Sequence, residues 1–267
     1  MRELLDRKRY DTQDLRRIIE ILRAPGGCPW DAKQTHESIR KNFIEETYEV
    51  VEAINKGDDA LLCEELGDVL LQVALHTQMA AERGAFDWDS VADGICRKLI
   101  ERHPHVFGDV RVTGVENVLS NWDAIKRRSK GQGTTAEAMA QIPRELPALM
   151  RAAKLQKKAA KEGFDWPGVD GALERLEEEI RELRAEIAEG NPAACRDELG
   201  DVLFSAVNVS RFLPDCDAEE ALTAASDKFY TRFSSVEQSA IAAGIDMKAA
   251  SLEELDRLWA NAKRNEK

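Results

Sequence analysis

Two stretches of this chain, 133 residues apart, carry the same carboxylates in the same order, and this repetition constrains the fold more than any other feature. The shift superposes Glu45, Glu46 and Glu49 on Glu178, Glu179 and Glu182. It also carries Glu65-Leu66-Gly67-Asp68-Val69-Leu70 onto Glu198-Leu199-Gly200-Asp201-Val202-Leu203. With 50 acidic residues in 267, about one position in five is acidic, so five acidic coincidences have a chance probability on the order of 10⁻⁴ per alignment. The chain is a duplication, and whatever one copy forms the other should form too.

Within each copy the acids follow helix geometry. Glu46 and Glu49 are three apart, as are Glu65 and Asp68, so each pair shares a helix face. Asn55-Lys56-Gly57-Asp58-Asp59 reads as a turn between two apolar-periodic segments, which predicts an antiparallel hairpin that brings the two acidic faces together. Four carboxylates converging beside Val50, Ile54, Val69 and Leu70 repel one another, and burial raises their pKa values. A divalent cation relieves that conflict. All-oxygen ligation points to Mg²⁺ or Mn²⁺, and no cysteine or histidine stands at matching positions to suggest zinc. A lone E-E-x-x-E run would be read as a solvated helix face with i,i+4 partners; its repetition at equal spacing favours a metal site.

The remaining elements are read from punctuation. An opening helix over 11–24 ends at Pro25-Gly26-Gly27-Cys28-Pro29, a long helix runs to about Lys56, and its hairpin partner ends near Gly84. Helices over 88–102 and 115–129, separated by a loop at 103–109, complete a first repeat at 1–130. A linker at 131–142 follows, with a second repeat at 143–267 that repeats the order and gives its last helix a capping box at Ser251-Leu252-Glu253-Glu254.

Composition narrows the function classes. Only 16 glycines, 8 prolines and 6% aromatic residues accompany the abundant Ala, Leu, Glu and Arg, so an all-helical protein is expected. A net charge of −12, spread along the chain, disfavours nucleic acid polymers and anionic membranes. No apolar run approaches the roughly 20 residues of a membrane span, and the charged start is unlike a signal sequence. Five scattered cysteines without a C-x-x-C pair read as reduced thiols of a cytoplasmic protein.

Other features recur after the acidic runs. Lys98 and Arg102 resemble Lys228 and Arg232, each pair spaced i,i+4, and Trp122 and Lys126 match Trp259 and Lys263. A cationic pair of this kind is either a salt-bridging surface stripe or a grip on phosphate oxygens. The tryptophan either packs on the bundle or stacks on a base while the lysine meets phosphate. Gly27-Cys28-Pro29-Trp30-Asp31 and Gly163-Phe164-Asp165-Trp166 also correspond, as loops that close over a base or staple a helix start. His103 and His105 have no second-copy equivalents and read as structural.

The E-E-x-x-E run followed by E-x-x-D resembles the MazG family of nucleotide pyrophosphohydrolases, within the all-helical NTP pyrophosphatase superfamily. So do Gly27-Cys28-Pro29-Trp30-Asp31, Arg102-His103-Pro104-His105-Val106-Phe107 and Gly163-Phe164-Asp165-Trp166, as in two-repeat bacterial members. The resemblance implies tandem helical repeats forming four-helix-type bundles, a homodimer, and Mg²⁺-dependent hydrolysis of nucleoside triphosphates to monophosphate and pyrophosphate. Carried over residue by residue, it implies that Glu179, Glu182, Glu198 and Asp201 hold Mg²⁺ in the second copy, and Glu46, Glu49, Glu65 and Asp68 in the first. It implies further that Lys228, Arg232, Trp259 and Lys263 hold the nucleotide, with Trp166 from the loop. Phosphoryl-transfer chemistry then asks for a carboxylate base, for which Glu178 or Glu45 is the candidate. The second copy is the favoured working site, because its cationic cluster most resembles the family's nucleotide site. A di-iron bundle would need Glu-x-x-His motifs, and the chain has none. A nucleotide-sensing regulatory protein and a purely structural bundle are the non-enzymatic alternatives.

Overall fold

The computed structural model describes the chain over residues 2–129 and 131–265, and its side chains there except at 2, 3, 115, 116, 119, 120, 123, 124 and 265. Among the described residues there are thirteen α-helices and no strand. The chain divides into two units, Met1–Lys126 and Arg127–Lys267.

In the first unit α1 (Arg2–Leu5) and α2 (Thr12–Arg23) precede a single 3₁₀ turn at Asp31–Lys33. The hairpin of α3 (Arg40–Lys56) and α4 (Asp59–Glu82) follows, then α5 (Trp88–Arg102), α6 (Pro104–Phe107) and the first part of α7 (Val115–Ser129). Asp11 starts α2 with a capping box, its side chain accepting from the Gln13 and Asp14 amides while Asp14 accepts from the Asp11 amide. The apolar stripe of α2 lies on α4. Ile19, Ile39, Ala74, Leu75 and Met79 are buried there, with Leu15, Leu22, Leu71 and Trp88 packed around them. Between 103 and 109, expected as a loop, Pro104 begins the four-residue helix α6; proline suits a first helical position, where its missing N–H has no intrahelical partner.

The second unit consists of α8 (Thr135–Ala140), α9 (Ala148–Lys161), the hairpin α10 (Val169–Glu189) and α11 (Pro192–Ser210), then α12 (Ala218–Ala243) and α13 (Leu252–Asn265). Helix α9 packs on α11 and α12, and α12 pairs with α13 through Val236, Ala240, Leu258 and Ala262. Helix α8 falls inside the segment expected as a linker. Thr134 caps it with a reciprocal box to Glu137, Ala138 is buried, and it packs on α9. At the last helix, Ser251 Oγ accepts the Glu254 amide at 3.2 Å.

The two hairpin turns repeat the 133-residue shift down to their backbone. Gly57 and Gly190 end α3 and α10 in the left-handed region at φ 65° and 71°, where a side chain would be strained. The next residues, Asp58 and Asn191, cap the returning helices. No helix among the described residues is long and apolar enough to cross a membrane.

The first-unit core makes a specific demand. Ile19 is 2% exposed at the α2–α4 contact, so Ile19→Ala should lower unfolding free energy by about 2–5 kcal/mol. Urea denaturation followed by circular dichroism would read this as a lower midpoint with little change in slope.

Candidate functional site

Each hairpin assembles an acidic cluster between its two helices. One carboxylate oxygen from each of Glu46, Glu49 and Glu65 lies within 4.8 Å of the others, and Glu179, Glu182 and Glu198 repeat the arrangement. The cause is the spacing: the first two acids occupy one face of the outgoing helix, and the turn returns the third opposite them. Asp68 and Asp201 stand outside these trios yet close enough for their charge to act on them. Burial first, then the charges of Asp68 and Glu49, raise the pKa of Glu46; burial, Glu49 and Asp68 raise that of Glu65. In the second copy burial raises Glu179 against the opposing effect of Arg175, and burial with the charges of Glu182 and Asp201 raises Glu198.

The second cluster is the more enclosed. Glu179 is 3% exposed, whereas Glu46 is only half-buried. Buried Oε2 atoms of Glu179, Glu186 and Glu198 have no hydrogen-bond partner among the described residues, an arrangement that favours a cation. Two members went unnoticed in the sequence. Arg175 bridges Glu178 and Glu179, with one nitrogen 2.5 Å from each, and the Glu186 charge acts on Glu198. Both follow helical spacing, Arg175 four residues before Glu179 and Glu186 four after Glu182. Neither repeats in the first copy, where Asn42 and Ala53 stand 133 residues earlier. Of the two candidate bases, Glu45 is exposed on α3 and Glu178 is held by Arg175.

The arginine of each cationic pair, separate in the sequence from the tryptophan, meets it in space. In the second unit Lys228 and Arg232 project from α12, and Trp259 and Lys263 from α13. The Arg232 guanidinium lies 5.9 Å from the Trp259 ring centre, and Trp259 packs on the α12–α13 core. In the first unit the Arg102 guanidinium and the Lys126 ammonium lie 5.1 and 4.8 Å from the Trp122 ring centre. Cations over an indole face are favourable, and they place positive charge beside an aromatic surface.

The two corresponding loops differ in what they enclose. Arg23 holds the first by donating to the carbonyls of Asp31 and Gln34 while pairing with Glu82. It is further fixed by His36, whose Nδ1 lies 2.7 Å from His76 Nδ1. The second loop is pinned by the Arg211–Asp165 pair at 2.6 Å, and with α9 and α11 it borders a cavity of about 430 Å³. Trp166 lines this cavity with Phe164 and Phe204, and is itself 43% exposed. His103, expected to be structural, is held at 2.6 Å from the Leu99 carbonyl, and all five cysteines are free.

The sequence finds its counterparts in known proteins. The MazG nucleotide pyrophosphohydrolase domain matches twice, over residues 34–107 and 169–236, each match spanning one acidic hairpin. A nucleoside triphosphate pyrophosphohydrolase/pyrophosphatase MazG of Thermotoga maritima is 43% identical over 94% of this chain and 95% of its own. A nucleoside triphosphate pyrophosphohydrolase of Escherichia coli K12 is 42% identical over 93% and 95%. A solved mazG-related protein from Thermotoga maritima, 29% identical, overlays 43% of this chain and 99% of its own with a TM-score of 0.38. With two domain matches on its two hairpins and relatives aligned end to end, this chain belongs to the MazG nucleotide pyrophosphohydrolase family.

Proposed function

We propose that this protein hydrolyses nucleoside triphosphates between the α and β phosphates, releasing the monophosphate and pyrophosphate, with Mg²⁺ as its metal and the second copy as the working site. The observation that carries the reading is the enclosed cluster of Glu179, Glu182 and Glu198, whose buried, unpartnered oxygens at Glu179 and Glu198 suit a hard cation. Relatives aligned over nearly the whole chain bear the name nucleoside triphosphate pyrophosphohydrolase, which supports the same activity here.

Glu179, Glu182, Glu198 and Asp201 would hold Mg²⁺, as Glu46, Glu49, Glu65 and Asp68 would in the first copy; Mn²⁺ fits the same oxygen donors. Bound there, the ion would neutralise phosphate charge and lower the pKa of water. Lys228, Arg232 and Lys263 supply positive charge for the phosphates, in a chain whose net charge of −12 otherwise repels them. Trp259 and Trp166 offer aromatic faces for the base. Glu178, oriented by Arg175, accepts the proton of the attacking water as its oxygen bonds to the α phosphorus. The bond from that phosphorus to the bridging oxygen breaks, and pyrophosphate leaves with the electron pair.

A homodimer is part of this reading. Ile54 and Leu66 are 57% and 51% exposed on the first hairpin, and their counterparts Ile187 and Leu199 are 61% and 49% exposed on the second. Ile44, Tyr48 and Val51 extend the first apolar stripe along α3, where α10 carries Glu177, Arg181 and Arg184. Repeated exposed apolar rows of this kind favour a partner helix pair, and a second copy of the chain provides one.

Pyrophosphate release from a panel of nucleoside triphosphates with Mg²⁺ tests the activity. Glu182→Gln should lower kcat by roughly 10²-fold or more, while Glu49→Gln should change it by less than about threefold. A parent protein that releases no pyrophosphate would sink the hydrolase reading, and a loss confined to Glu49→Gln would move the working site to the first copy.

The crowded carboxylates also set a pH dependence. A carboxyl whose folded pKa is raised gives the native state extra protons between its ordinary value, about 4.3, and the raised one, so stability falls as pH rises through that window. Glu198→Gln should therefore melt higher than the metal-free parent near pH 7, with the gap closing toward about pH 4. Added Mg²⁺ should raise the melting temperature of the parent more than that of the variant. Calorimetry showing equal metal responses would remove Glu198 from the metal site.

A further inference from the structure

We propose that Arg83, His36 and His76 form a proton-sensitive latch, which holds the segment 24–39 against α4 near neutral pH and releases it in mildly acidic solution. The latch is separate from the acidic clusters and does not rest on the hydrolase reading.

The geometry fixes a chain of three partners. Arg83 Nη2 lies 2.8 Å from His36 Nε2, and His36 Nδ1 lies 2.7 Å from His76 Nδ1. The two ring centres are 5.0 Å apart and the ring planes only 2° apart. That separation is about what two ring radii and the gap between the nitrogens add up to, so the imidazoles meet edge to edge in one plane and not face to face. Their Nδ1 atoms therefore point at each other, the alignment that a hydrogen bond requires.

The proton positions follow from Arg83, which can only donate. His36 Nε2 must accept, so the one ring proton of a neutral His36 sits on Nδ1 and is donated to His76 Nδ1. His76 then carries its own proton on Nε2. Each ring must be neutral for the chain to hold. A further proton breaks it: on His36 the proton would face the Arg83 guanidinium donor to donor, and on His76 it would face the Nδ1–H of His36. In keeping with this, burial first and then the charge of His36 hold the pKa of His76 below its ordinary value.

The surroundings offer an added proton little compensation. Phe43 of α3 packs on His76 with ring centres 5.8 Å apart. From α2, Arg23 reaches the same segment but is paired with Glu82 of α4. Glu37, the carboxylate beside His36, is exposed, where solvent screens its charge.

The latch secures the entry to α3. Residues 24–39 join α2 to α3, and Ile39 at their end is 2% exposed in the α2–α4 core. Arg23 fastens the segment a second time, through the Asp31 and Gln34 carbonyls, and an arginine keeps its charge throughout this pH range. Only the histidine fastening titrates near neutrality. The residues 133 positions after His36, His76 and Arg83 are Val169, Val209 and Cys216, so the second unit carries no such chain. An imidazole held neutral binds fewer protons in the closed state than in the open one. Closure is therefore complete above the ordinary histidine pKa of about 6.5 and is lost as pH falls below it.

Hydrogen exchange of the full chain, read peptide by peptide by mass spectrometry and corrected for the intrinsic pH dependence of exchange, tests this between about pH 7.5 and about pH 5.5. Protection of 24–39 should fall roughly 10-fold over that range, since one linked proton shifts an equilibrium about tenfold per pH unit, while protection of 157–172 in the second unit should hold. The double variant His36→Val with His76→Val, which copies the second unit, should change by less than about twofold over the same range. Arg83→Met removes the opposing charge and frees His36 Nε2, so it should move the midpoint of release to higher pH. Constant protection of 24–39 in the parent, a pH dependence retained by the double variant, or a midpoint that Arg83→Met leaves in place would overturn the latch. The tautomers give a reading that needs no variant. Nitrogen NMR of the four histidines at about pH 7.5 should show His36 protonated at Nδ1 and His76 at Nε2, and an imidazolium or the opposite tautomer at either would also overturn it.

Discussion

Like-charge crowding between two antiparallel helices is the constraint on which the rest of this structure depends. Three carboxylates with oxygens inside 4.8 Å would separate if their backbones were free, so the hairpins must hold them by packing elsewhere. The holding is done at both ends. Gly57 and Gly190 make the turns, and α2 and α9 brace the returning helices α4 and α11. Burial first, and the neighbouring carboxylates after it, raise the pKa values of Glu46, Glu65, Glu179 and Glu198.

The two copies have kept that device and diverged around it. The second adds Arg175 and Glu186 to the cluster, buries Glu179 and opens a cavity beside α11. The first fills the corresponding space with Leu71 and Leu75, pins its loop through Arg23 and the His36–His76 contact, and lays Ile44, Tyr48 and Val51 along its outer face. The second unit thus encloses its cluster and borders a cavity, while the first has a filled core and an exposed apolar face.

Much of the helical order was legible because the signals are local. The helices over 88–102 and 115–129 coincide with their expected bounds, and glycine-ended hairpins follow from left-handed capping that the sequence spells out. Helices α6 and α8 were not legible. Each is only one or two turns long, and a few residues of propensity do not overcome the cost of a helix start without tertiary contacts. Arg175 and Glu186 escaped for a different reason: the site was found by what the copies share, and these residues are what they do not.

By itself the sequence determined the duplication, the helical class, the turns and the acidic residues of each cluster, all of which rest on spacing along one chain and so survive without knowledge of the fold. Only the tertiary structure decided which side chains from different helices meet. It joined Arg102 to Trp122 and Arg232 to Trp259, which lie 20 and 27 residues apart in the sequence. It also separated two hairpins that repeat the same acidic motif by what surrounds them, since burial and the presence of a cavity depend on how neighbouring helices fill space and leave no periodic mark on the chain.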